Sequence, residues 1–92
     1  MLEIDIIQGS QLTQIQAESI KLRIVGEGTA KILTGHMPFI ALCEGNSLDI
    51  NGVIVPITNQ FLVETNVIDK HTSVTIFAPE IPGIPPLLKC IP

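Results

Sequence analysis

Ser19-Ile20-Lys21-Leu22-Arg23-Ile24 alternates polar and apolar residues without a break. Successive side chains of a strand point to opposite faces, so this spacing makes one face apolar and the other mostly charged. A helical period would smear the same residues around the whole circumference. The segment is predicted to be a half-buried β-strand. Gly26-Glu27-Gly28 interrupts it, and Thr29 to Leu33 is the expected return strand. Upstream, Leu2, Ile4 and Ile6 alternate with Glu3 and Asp5 as a first strand. After the turn signal Gly9-Ser10, Leu12 to Ala17 is polar and reads as a short edge strand at best.

Downstream, Gly35-His36-Met37-Pro38 reads as a loop, because Pro38 lacks a donor and restricts the residue before it. Phe39 to Cys43 is a continuous apolar run of strand length, and Glu44-Gly45-Asn46 turns the chain. Ser47 to Ile50 alternates, Asn51-Gly52 signals a hairpin, and Val53 to Thr58 pairs back. Pro56 within that run implies an edge strand or a bulge. Phe61 to Glu64 and Ser73 to Phe77 make a final pair around Asn66-Val67-Ile68-Asp69-Lys70. No stretch of about ten residues carries helical periodicity. The fold class is therefore all-β, a small β-sandwich of about eight to ten short strands over residues 1–78. From residue 79 the composition changes: Pro79, Pro82, Pro85, Pro86 and Pro92 predict an extended proline-rich C-terminal tail. Leu87, Leu88 and Ile91 are available there to lie on the domain or on a neighbour.

Composition agrees with a sheet. The 92 residues suit one domain with a modest core, and 46% of them are hydrophobic while only three are aromatic. The core must be aliphatic, with sixteen isoleucines available, and isoleucine is stiff at χ1 and suits a pleated surface. A net charge of −4 with five basic residues argues against nucleic acid and against an anionic membrane surface. Met1-Leu2-Glu3-Ile4-Asp5 carries acid where a secretion signal carries base, and the apolar runs are far shorter than a membrane span. Two cysteines are too few for a disulfide framework. The chain reads as cytosolic.

The inventory for catalysis is poor. His36 and His71 are the only imidazoles, and neither has a sequence neighbour that marks a nucleophile or an orienting group. Cys43 sits in an apolar run as a small hydrophobe, and Cys90 lies in the tail. The cysteines and histidines are too scattered to suggest a metal site, and no phosphate-binding glycine loop leads into a helix. No enzyme activity, cofactor or metal is expected.

Two local patterns stand out. Ile32-Leu33-Thr34-Gly35-His36-Met37-Pro38-Phe39-Ile40-Ala41-Leu42, followed by Glu44-Gly45-Asn46-Ser47-Leu48-Asp49-Ile50, resembles the epsilon subunit of rotary ATP synthases. That family runs an Ile-Leu-x-Gly-His-x-Pro segment into an apolar strand and a glycine turn. Leu2 to Ile7 resembles its opening strand, Ala17 to Leu22 its second long strand, and Phe61 to Glu64 with Ser73 to Phe77 its closing hairpin. The resemblance covers residues 2–78. It implies a β-sandwich on the central stalk of a proton- or sodium-translocating ATP synthase, packed on the gamma subunit and seated on the ring of c subunits. The chain would then lie at the cytoplasmic face of the membrane, held there only through the complex. By position, Glu27, Gly28 and Thr29 together with Gly35, His36, Met37 and Pro38 would lie at one end, facing the ring. There are departures. Ala30-Lys31 stands where the family usually has Phe-Gly or Leu-Gly, Thr34 where it has Pro, and Asn59-Gln60 where a Gly-Gly pair is usual. The tail also stands where many members carry a regulatory helical hairpin.

The second pattern is Val63 to Lys70 leading to Ala78-Pro79 and Gly83, which superficially resembles a lipoyl or biotinyl carrier domain with Lys70 as the attachment lysine. The usual spacing is stretched by Asn66-Val67-Ile68, and the first half of the chain lacks the carrier's matching motif. A third reading is a diverged protein-interaction module with no rotary role.

Overall fold

The computed structural model describes residues 1–35 and 37–79. Those residues form nine strands and no helix: β1 (Leu2–Gln8), β2 (Gln11–Ala17), β3 (Ser19–Ile24), β4 (Gly28–Leu33), β5 (Phe39–Glu44), β6 (Ser47–Ile50), β7 (Val53–Pro56), β8 (Gln60–Ile68) and β9 (His71–Ala78). The all-β reading therefore stands. The tail expected over 79–92 lies, from residue 80 onward, outside the described residues.

Seven strands form one sheet in the order β2-β1-β9-β8-β5-β3-β4, and β6 and β7 make a separate two-stranded ribbon. Every pairing is antiparallel except that of β1 with β9, which runs parallel from Leu2 opposite Thr72 to Gln8 opposite Ala78. The join between β5 and β3 is short, with Arg23 opposite Glu44 and Ile24 opposite Cys43. So brief a ladder lets the β3–β4 hairpin turn away from the main sheet. Ile20, Leu22 and Ile32 of that hairpin are buried in the same cluster as Leu2, Ile4, Ile6, Val63, Val74 and Ile76. Leu48, Ile50 and Val55 of the ribbon, with Ile57 just beyond it, close the remaining side. The result is a curled sheet folded into a small sandwich. Its core is aliphatic as composition requires, with Phe61 the one aromatic among the fully buried side chains.

Two elements differ from the sequence reading. The polar stretch expected as a short edge strand is a full seven-residue strand, β2, paired along its whole length with β1 and lying at the sheet edge. Thr13 and Ala17 are the inward positions that the polar residues around them obscured. The last hairpin is also tighter than expected. Asp69 and Lys70 both take positive φ, 49° and 68°, which makes a two-residue turn of the kind that matches strand twist. Asn66, Val67 and Ile68 therefore continue β8, opposite Ser73, Thr72 and His71. Asn51-Gly52 forms its hairpin as read, with φ of 52° and 84° and the Gly52 N–H donating to the Asp49 carboxylate at 3.1 Å.

Candidate docking surfaces

The β3–β4 turn carries Glu27, Gly28 and Thr29, all exposed. Gly26 and Gly28 take φ of 83° and 93°, a conformation that glycine adopts without Cβ strain, and the Glu27 N–H donates to the Ile24 carbonyl at 3.1 Å. The second set, Gly35, Met37 and Pro38, lies in the β4–β5 loop and is likewise exposed, Met37 to 76%. His36 lies outside the described residues. Two buried threonines fasten this loop to the closing hairpin. The Gly35 N–H donates to Thr72 Oγ1 at 2.7 Å, the Phe39 N–H donates to Thr65 Oγ1 at 3.0 Å, and that hydroxyl donates to the Met37 carbonyl at 3.2 Å.

Glu27 precedes the six-residue strand β4, whose first two residues are Gly28 and Thr29, and the Gly35–Pro38 loop follows it. Each set has other company. The Glu27 turn follows Val25, which lies beside Leu42 of β5. The Gly35–Pro38 loop lies beside the start of β9 and so at the end of the sheet that carries Asp69 and Lys70.

The structure also assembles a surface that the sequence reading did not single out. Ile7 lies opposite Leu12 on β2 and opposite Phe77 on β9. Phe77 lies opposite Leu62 on β8, which lies opposite Leu42 on β5. The Val25 N–H donates to the Leu42 carbonyl at 2.9 Å, which sets Val25 beside it. These six positions alternate with the buried ones on their strands, so all face outward. Directly opposed residues on adjacent strands touch, and strands sit about 4.8 Å apart. The outer face therefore carries an unbroken apolar row roughly 24 Å long. Phe77, Leu62 and Leu42 are 43%, 41% and 44% exposed, while Ile7 and Leu12 are half-buried. The next row along the strands reads Gln14, Asp5, Thr75, Glu64 and Ile40. Asp5 accepts from the Gln14 amide at 3.2 Å and Glu64 from the Asn66 amide at 3.0 Å. An apolar row edged by carboxylates is the result.

The groups considered for chemistry are spread out. His71 begins β9 and is exposed, Lys70 is exposed at the hairpin tip, and Cys43 is fully buried on β5. Burial pushes the Cys43 thiol up from its ordinary range, because desolvation penalises the thiolate. Among the described residues no three His, Cys, Asp or Glu side chains gather in a way that would hold a metal ion. Among them, too, no helix is long and apolar enough to cross a membrane. No protein-family model matches the chain, and no curated protein matches it.

Proposed function

We propose that the chain is a non-catalytic docking subunit on the central stalk of a rotary ATP synthase, similar to the epsilon subunit. The apolar row Leu12-Ile7-Phe77-Leu62-Leu42-Val25 carries this reading. Contiguous apolar surface across several strands of a small domain is costly in water and marks a surface that another protein covers. A gamma-type partner of matching chemistry offers apolar side chains to the row and basic side chains to Asp5 and Glu64. Such an edge steers association and makes it sensitive to salt. The ordered string of motifs over residues 2–78 supports the stalk over other assemblies. By the same resemblance, Glu27, Gly28 and Thr29 together with Gly35, His36, Met37 and Pro38 face the c ring.

Co-purification of the chain from its own cells, with native mass spectrometry, tests this. Recovery with gamma and the c ring, at the unmodified mass, is the expected result. Recovery without either removes the stalk assignment. The carrier reading keeps one specific observation in its favour, since Lys70 stands exposed at the tip of a two-residue hairpin. A lipoyl or biotinyl mass on Lys70 would transfer the function to that reading.

A further inference from the structure

β4 forms one edge of the large sheet, and among the described residues it pairs with β3 alone. Hydrogen bonds at the hairpin tip fix which way the main chain faces. The Val25 N–H donates to Leu42 on β5, whereas the Ile24 carbonyl accepts from Glu27 on the β4 side. Main-chain groups alternate sides along a strand, so Ile20, Leu22 and Ile24 bond to β4, and Lys21 and Arg23 face the β5 side. Gly28, Ala30 and Ile32 are the partners of the first set. Thr29, Lys31 and Leu33 therefore turn their N–H and C=O groups to the open side. A row of such groups is a template for another strand. Apolar surface lies along it: Ile32 is buried, Ala30 is half-buried and Leu33 is 51% exposed.

The charges on this hairpin say what the edge would accept. Lys21 lies directly opposite Lys31, in a pair not joined by hydrogen bonds, where Cα atoms come within about 4.5 Å. Like charges so placed repel. The β3–β5 ladder sets Glu44 opposite Arg23 and reaches no farther along β3, so among the described residues no acid lies directly opposite either lysine. Lys21, Arg23 and Lys31, three of the five basic residues in an acidic chain, stand exposed on this one hairpin. A second copy is a poor occupant. The antiparallel register that uses Thr29, Lys31 and Leu33 together sets Lys31 against its own counterpart, and four lysines then line up across four strands. We propose that the open edge of β4 takes up an extended acidic segment of a partner protein, with a Glu or Asp opposite Lys31. The main chain of the added strand bonds to Thr29, Lys31 and Leu33, its carboxylate answers the paired lysines, and its apolar residues continue Ala30, Ile32 and Leu33 by one strand.

This edge is separate from the apolar row, and the proposal does not depend on the stalk reading. The probe is a blocked peptide, Ser-Leu-Val-Glu-Val-Thr-Ser, titrated into the full chain at millimolar concentration and followed by amide NMR. Saturable shifts and slowed hydrogen exchange are expected at Thr29, Lys31 and Leu33. The same peptide with Lys in place of Glu should bind about tenfold more weakly, and the Lys31→Glu chain should reverse that preference. N-methylation of the peptide at Leu, Glu and Thr keeps its charge but removes the donors that face β4, so binding should be lost. Equal binding of the methylated peptide would reduce the contact to charge attraction and overturn the proposal. Absence of shifts at the three amides, or shifts centred on β2 or the apolar row, would do the same. Protection of these amides that grows with protein concentration alone would give the edge to a second copy. Lys31 is exposed, so the variant is expected to fold. Should it unfold, the three peptides on the parent chain still decide.

Discussion

Leu62 on β8 lies directly opposite Leu42 on β5, and both side chains stand on the outer face of the sheet. Of the residues flanking them, Phe61, Val63 and Cys43 are buried and Ala41 is partly buried. The two leucines therefore contribute area to the surface and almost nothing to the core.

A surface pair of this kind separates binding from folding. Leu42→Lys/Leu62→Glu, which sets opposite charges across the two strands, is expected to change stability by about 1 kcal/mol or less, since neither site is a core position. Recovery with the stalk partner is expected to fall at least tenfold. Thermal melts and co-purification, run side by side, check both halves. Full recovery with an unchanged melt would mean that the partner docks elsewhere.

Leu22 reads oppositely. It is 1% exposed on the inward face of β3, so Leu22→Asp buries a carboxylate without a partner. A loss of about 4 kcal/mol or more is expected, enough to unfold a small domain. Denaturant titration measures it, and an unchanged midpoint would reverse the assignment of the inward face.

The loop anchor is testable one hydrogen bond at a time. Thr72→Val keeps the shape of the buried side chain and removes the acceptor of the Gly35 N–H. About 1 kcal/mol of stability should be lost. Amide exchange at Gly35 should accelerate while that of β8 changes little. Equal acceleration throughout β8 would show that Thr72 acts on the whole sheet and not on the loop.

Cys43 gives a pH signature. Its thiol is raised in the fold by desolvation, so above the ordinary cysteine range the unfolded chain releases this proton while the folded chain retains it. The contribution is fully present below the unfolded value and is lost as pH rises past about 8.5. Cys43→Ala should remove that part of the slope, read as the difference between the two pH profiles. Identical slopes would show that the thiol ionises as readily folded as unfolded.

Most of the fold was legible because a period of two residues survives wherever one face is buried and the other is wet. Ile4 between Glu3 and Asp5, and Leu22 between Lys21 and Arg23, needed no structure to be read as inward. β2 was undervalued because glutamine and threonine dilute the pattern, and only pairing with β1 reveals that Thr13 points inward. The length of the last turn was missed because positive φ at Asp69 and Lys70 has no glycine to announce it. The apolar row left a trace as breaks in alternation: Ile6-Ile7, Leu62 between Phe61 and Val63, Ile76-Phe77, and the run Phe39 to Cys43. Each break alone is consistent with a strand covered on both faces. Their alignment into one row depends on the registers of three separate ladders, and register between distant strands is not written locally.

The parallel ladder between β1 and β9 has a consequence for how the chain comes to be folded. Leu2 meets Thr72 and Ile6 meets Ile76, and β9 is inserted between β1 and β8, so the strand that joins the two halves is the last of the nine to be made. Contacts so distant in sequence are slow to form, because a long loop must close before they give any return. During synthesis the β1–β2 hairpin waits with one edge open until residue 78 has emerged. An open edge in a half-made sheet is a point of aggregation, so the nascent chain is at its most vulnerable immediately before completion.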